Sequence, residues 1–148
     1  MAHAHNPEPV KLIVGMLAGR DRWLEAARAE LAGTLGPADL TSPVMPFDYT
    51  DYYRDQMGPG LLRQFVAIAE LADPARLADL KGATNAAEAD LSVRLAAEAG
   101  PPRPVNLDVG YVTESKLILA SCKDFAHRVY LRDGVYADPQ QAVRDLPR

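Results

Sequence analysis

The chain has a single cysteine, Cys122, so no intramolecular disulfide can staple it and its stability must come from packing. It has no surplus of positive charge: 16 Lys and Arg stand against 20 Asp and Glu, for a net charge of -4. That balance supplies no field to hold a polyanion, which argues against nucleic acid and anionic membrane surfaces as partners. No apolar run approaches the roughly eighteen residues a membrane span requires. The opening Met1-Ala2-His3-Ala4-His5-Asn6-Pro7-Glu8-Pro9 has no apolar stretch resembling a signal peptide, so the cytoplasm is the expected compartment. Aromatics are sparse at 7%, yet three of the six tyrosines crowd into Phe47-Asp48-Tyr49-Thr50-Asp51-Tyr52-Tyr53.

What is present suits one globular domain. At 148 residues, 48% hydrophobic and 24% charged, the chain can bury a core without staples. Residues 1–9 read as a flexible tail, 10–138 as the domain and 139–148 as a C-terminal tail of unassigned order. Val10 to Leu17 is short, apolar and rich in β-branched residues, the pattern of a strand buried on both faces. Asp21 can cap a helix whose Leu24, Ala27, Leu31 and Leu35 recur at helical spacing up to Gly36-Pro37. Pro43 and Pro46 make Leu40 to Tyr49 an edge strand. Gly58-Pro59-Gly60 precedes an expected helix from Leu61 to Leu71. Asp73-Pro74 opens another helical piece, Gly82 interrupts it, and Asn85 with Glu88 has capping-box spacing for a last helix to about Ala97. Val105 to Val112 looks extended, and Thr113 to Ser121 fits a helix or a strand equally. His127 to Arg132 alternates as a strand, and Asp133-Gly134 is a hairpin signal before the return strand Val135 to Ala137, which Pro139 cuts short. These elements predict an α+β domain with a mixed or antiparallel sheet, covered mainly on one face by three to four helices.

Six segments occur in one order along the chain: VKLIVGML from Val10, PFDYTDYY from Pro46, MGPGL from Met57, Lys81 with Thr84-Asn85, NLDVGY from Asn106, and KDFAHRVYLRDGVYA from Lys123. Together they resemble the prokaryotic domain-of-unknown-function 4416 family. Val109 and the segment after Tyr136, Ala-Asp-Pro-Gln-Gln, depart from the family's pattern. The resemblance implies no activity, cofactor or catalytic residue. Nor is there a phosphate-binding P-loop, because Gly15 and Gly19 are separated by three residues and no lysine follows.

Candidate binding residues gather in two stretches. Asn106, Asp108, Tyr111, Lys116, Lys123, His127 and Arg128 lie between apolar runs, and the cations among them could converge on a carboxylate or phosphate. Asp48 and Tyr52 supply the facing wall, in a loop whose Asp48 and Asp51 show too few ligands for a metal site. His127 has the chemistry of a general base, with Asp108 or Asp124 to orient it and Ser121 or Cys122 as the nearest nucleophiles, but no hydrolase signature surrounds them. A histidine that merely hydrogen-bonds in a strand and a cysteine that packs as a small hydrophobe are the plainer readings. The functional expectation is a small anionic metabolite or nucleotide-like ligand bound between the 48–53 loop and the 106–128 segment, with no cofactor, catalytic residue or metal assigned. The competing expectation is an interaction module or homodimer that uses the tyrosine-rich loop and the C-terminal hairpin edge.

Overall fold

Val10 to Leu17 carries apolar residues at nearly every position, and the computed structural model, which describes residues 2–47, 54–98 and 100–140, makes Lys11–Ala18 a central strand, β1. Helix α1, Asp21–Leu35, follows and buries Trp23, Leu24, Ala27 and Leu31 on one side. It ends at Gly36, whose φ of 101° lies where a side chain would be strained. The proline-bearing stretch forms two short strands, β2 (Ala38–Thr41) and β3 (Met45–Pro46), both paired to the same neighbour at the sheet edge. A four-residue helix, α2 (Arg54–Met57), leads into β4, Leu62–Ile68.

β4 overturns the helix expected from Leu61 to Leu71. Apolar residues fill this segment so densely that they satisfy both the helical and the alternating period. Burial settles the matter: Gln64, Val66 and Ile68 are buried, with the residues between them less so. A second difference lies in the next element. Asp73 accepts a hydrogen bond from the Ala75 amide (2.9 Å) and starts a single 3₁₀ turn at Pro74–Arg76, which runs into helix α3, Leu77–Leu95. Gly82 and Asn85 lie inside α3 and neither breaks it, since an interior glycine costs only about 1 kcal/mol relative to alanine. A 3₁₀ turn, Ala96–Glu98, closes the helical stretch.

Four strands complete the chain: β5 (Val105–Val112), β6 (Leu117–Ser121), β7 (Val129–Arg132) and β8 (Val135–Pro139). Thr113 is a turn residue, its hydroxyl accepting from the amides of Ser115 and Lys116 (both 3.2 Å), so the segment after it is strand. Asp133 and Gly134, at φ 54° and 77°, form the tight β7–β8 turn. Pro139 does not cut β8 short; it pairs with Ile118.

All pairings are antiparallel, in the order β2-β4-β1-β5-β6-β8-β7, with β3 also on β4. The expectation of three to four covering helices is therefore corrected. Among the described residues an eight-stranded antiparallel sheet dominates, and α1 and α3 are the only helices longer than four residues. Of the four helices expected, one is β4 and two have merged into α3.

Both long helices pack on one face, against Leu12, Val14, Met16 and Ala18 of β1, Val66 and Ile68 of β4, and Val105, Leu107 and Val109 of β5. Each fully buried side chain of leucine size stabilises the fold by about 1.5–3 kcal/mol. On the opposite face Leu17 packs with Phe47, Met57 and Leu61 in a smaller cluster. Beyond that cluster the helix-free face turns polar, because successive side chains of a strand point to opposite sides: Asn106 and Asp108 of β5, Ser121 of β6 and Asp138 of β8 alternate with residues of the main core.

Candidate functional site

β5 pairs with β1 along its whole length, from Lys11↔Val112 to Ala18↔Val105. Its pairing with β6 covers only Gly110↔Leu119, Tyr111↔Ile118 and Val112↔Leu117. From Gly110 toward Val105 the two strands part, and among the described residues a stretch of β5 is left without a strand on that side. Buried backbone polar groups need partners, and here α3 provides them. Glu88 accepts from the Leu107 amide (2.6 Å), and Lys81 donates to the Leu107 carbonyl (3.3 Å). Lys81, Asn85 and Glu88 recur at i, i+4 and i+7, so one stripe of the helix faces the gap.

Because the gap is open, Lys81 reaches past the plane of the sheet. Its ammonium lies 3.6 Å from Asp108, a residue of the helix-free face. Asp108 also accepts from Asn106 (2.9 Å), Asn106 accepts from Arg103, and Arg103 bonds both carboxylate oxygens of Glu88 (3.2 and 3.3 Å). This closed circuit holds two residues that are almost wholly buried, Lys81 at 6% and Asn106 at 3% exposure. Burial of an ammonium is tolerated only with such pairing.

The other wall comes from β6, β8 and the loop before β7. Asp138 accepts from His127 Nε2 (2.8 Å) and from Arg128 Nε (3.0 Å), and Arg128 also donates to the Lys123 carbonyl (2.9 Å). Arg128 further lies over the ring of Phe125, 5.5 Å from its centroid. Between the walls is a cavity of about 360 Å³. Lys81, Arg103, Lys123 and Arg128 line it together with Asp108 and Asp138, a formal charge of +2 in a chain whose total is -4.

Four of the residues singled out in the sequence thus come together: Asn106, Asp108, Lys123 and Arg128 all line this cavity. His127 stands behind it as a partner of Asp138, and its hydrogen bond goes there rather than to Ser121 or Cys122. The ring is oriented by Asp138, not by Asp108 or Asp124. Tyr111 and Lys116 are elsewhere; they line a separate groove of about 750 Å³ with Pro7, Pro9, Val10 and Lys11. Asp48 and Tyr52, with the rest of the tyrosine-rich loop from 48 to 53, lie outside the described residues. Sequence reasoning missed Lys81, Arg103 and Asp138 as site residues. Lys81 carries a signal in the Lys81 to Asn85 segment, although the capping-box spacing of Asn85 and Glu88 points to a helix start rather than to a site. Arg103 and Asp138 carried none.

A family described as "Domain of unknown function (DUF4416)" has a sequence profile that matches residues 8–145. The chain belongs to this family. No curated protein matches it. In this DUF4416 chain the match takes in both walls of the cavity, Asp138 included. Among its described residues no group of three His, Cys, Asp or Glu side chains is placed to hold a metal ion, and no helix is long and apolar enough to cross a membrane.

Proposed function

We propose that the cleft between β5 and β6 binds a small anionic molecule, such as a metabolite or nucleotide-like ligand. One observation carries the reading: cationic side chains from α3, the segment before β5 and the β6–β7 loop converge on one concavity of a chain whose overall charge is negative. Guanidinium groups meet phosphate or carboxylate by two-pronged contacts, and ammonium groups add point charge. The cavity lies at the small end of the roughly 300–1,000 Å³ typical of ligand pockets, which suits a compact ligand.

The test is a thermal-shift titration with inorganic phosphate and adenosine monophosphate. A ligand at ten times its Kd stabilises by about 1.4 kcal/mol, which corresponds to a melting rise of roughly 3–6 °C at this size. Lys123→Ala and Arg128→Ala should each abolish the rise. Unchanged shifts in both variants would remove the reading.

A second reading has its own support. β7 is an outer strand of the sheet, its far edge unpaired among the described residues, and Phe125, Val129, Tyr130 and Leu131 are exposed beside that edge. Such an edge is a template for a further strand, and a second copy of this chain would extend the sheet across a twofold axis. Light scattering after gel filtration should then give a dimer that Val129→Lys turns into a monomer. A monomeric parent protein at high micromolar concentration removes this alternative.

A further inference from the structure

We infer that the ligand of the β5–β6 cleft is a phosphate monoester that also carries hydroxyl groups, rather than a bare anion. The inference rests on the anion-binding reading and narrows it. Asp108 decides the matter, because a carboxylate facing the same cavity as the cations repels a naked anion. An ionised carboxylate has about four acceptor positions, and one of Asp108's is filled by a hydrogen bond from Asn106, while Lys81 stands 3.6 Å from the other oxygen as an ion pair beyond hydrogen-bond reach. Its side chain is 30% exposed, against 12% for Asp138, whose two oxygens are taken by His127 and Arg128. Asp108 is therefore the open acceptor of the site.

A ligand that fits offers donors to Asp108 and negative charge to the cations. Hydroxyl groups do the first and need no proton change. A phosphate monoester does the second, since its three terminal oxygens can be met from several directions at once by guanidinium and ammonium groups that approach from different elements. A monocarboxylate offers two oxygens in one plane and leaves such an arrangement partly unused. The circuit of Glu88, Arg103, Asn106, Asp108 and Lys81 fixes the acceptor in position before any ligand arrives, which lowers the ordering cost of binding.

Calorimetric titration with inorganic phosphate, methyl phosphate, glycerol 3-phosphate, ribose 5-phosphate and ribose tests this on the intact chain. The expected result is that the two hydroxylated esters bind at least tenfold more tightly than methyl phosphate, and that Asp108→Asn shrinks this ratio to less than threefold while binding methyl phosphate at least as well as the parent. Equal affinity of all four phosphates for the parent protein would overturn the inference and leave anion binding intact. Ribose binding as tightly as ribose 5-phosphate would overturn it too, by removing the anion's role. A ratio that survives in Asp108→Asn takes the hydroxyl contact away from Asp108. No binding of any phosphate rejects the anion site itself. The comparison of probes on the parent protein stands even if the variant folds poorly.

Discussion

Gly110→Ala is expected to destabilise the protein by about 3 kcal/mol, at the upper end of what an extra methyl group forced into a packed interior costs, and to lower the melting temperature by roughly 6–12 °C. A Cβ at this position would sit 2.3 Å from the carbonyl oxygen of Ile118 and 2.6 Å from Leu119 Cδ2. The first of these is a backbone atom held in a ladder and cannot swing aside like the end of a side chain. Gly110 is also the last paired residue of β5 before the strands part, so any shift that relieves the clash displaces a wall of the cavity. Gly82→Ala is the matched control. It lies within α3 with open space around the added methyl group, and should stabilise by about 0.5–1 kcal/mol. Urea denaturation of the two variants beside the parent checks both signs. A Gly110→Ala midpoint equal to the parent's would mean that the seam is looser than described.

Glu88→Ala is expected to cost about 2–3 kcal/mol, chiefly from a buried amide left without an acceptor. Leu107 is fully buried, and Glu88 is the partner its N–H finds where a strand would otherwise be. The ion pair with Arg103 adds less, because Arg103 is about a third exposed and water screens it. Glu88→Gln keeps an oxygen for the amide and should lose less than about 1 kcal/mol, the scale of a single net hydrogen bond. Guanidinium denaturation separates these outcomes. Equal losses in the two variants would assign the role of Glu88 to its charge instead of to Leu107.

Much of the strand pattern was legible where one feature dominated. The β-branched run at Val10 to Leu17, the helical spacing from Leu24 to Leu35 and the Asp133-Gly134 turn each admit one reading, and the structure agrees with all three. Leu61 to Ile68 is ambiguous because its apolar residues satisfy the helical and the alternating period alike, and its fate depends on the neighbours β1 and β2 that it finds only on folding. Gly82 and Asn85 misled for a different reason: the helix continues through weak local signals because Leu80, Ala87 and Leu91 bury against the sheet. For the site, Asn106, Asp108, Lys123 and Arg128 were visible as polar residues set among apolar ones. Arg103 joins them through a loop path, and Asp138 through a hairpin register, neither of which local spacing encodes. Lys116 and Tyr111 were drawn in by sequence proximity, although strand direction carries them toward the far end of β5 and the turn after it.

The cavity occupies a lightly fastened joint in the middle of the sheet. Eight paired positions fasten β5 to β1, but three fasten it to β6. A molecule that filled the gap as proposed would act as a wedge or a clasp across two unequal blocks, so its grip would be felt as stiffness through all of β6, β7 and β8 and not only by the atoms that touch it.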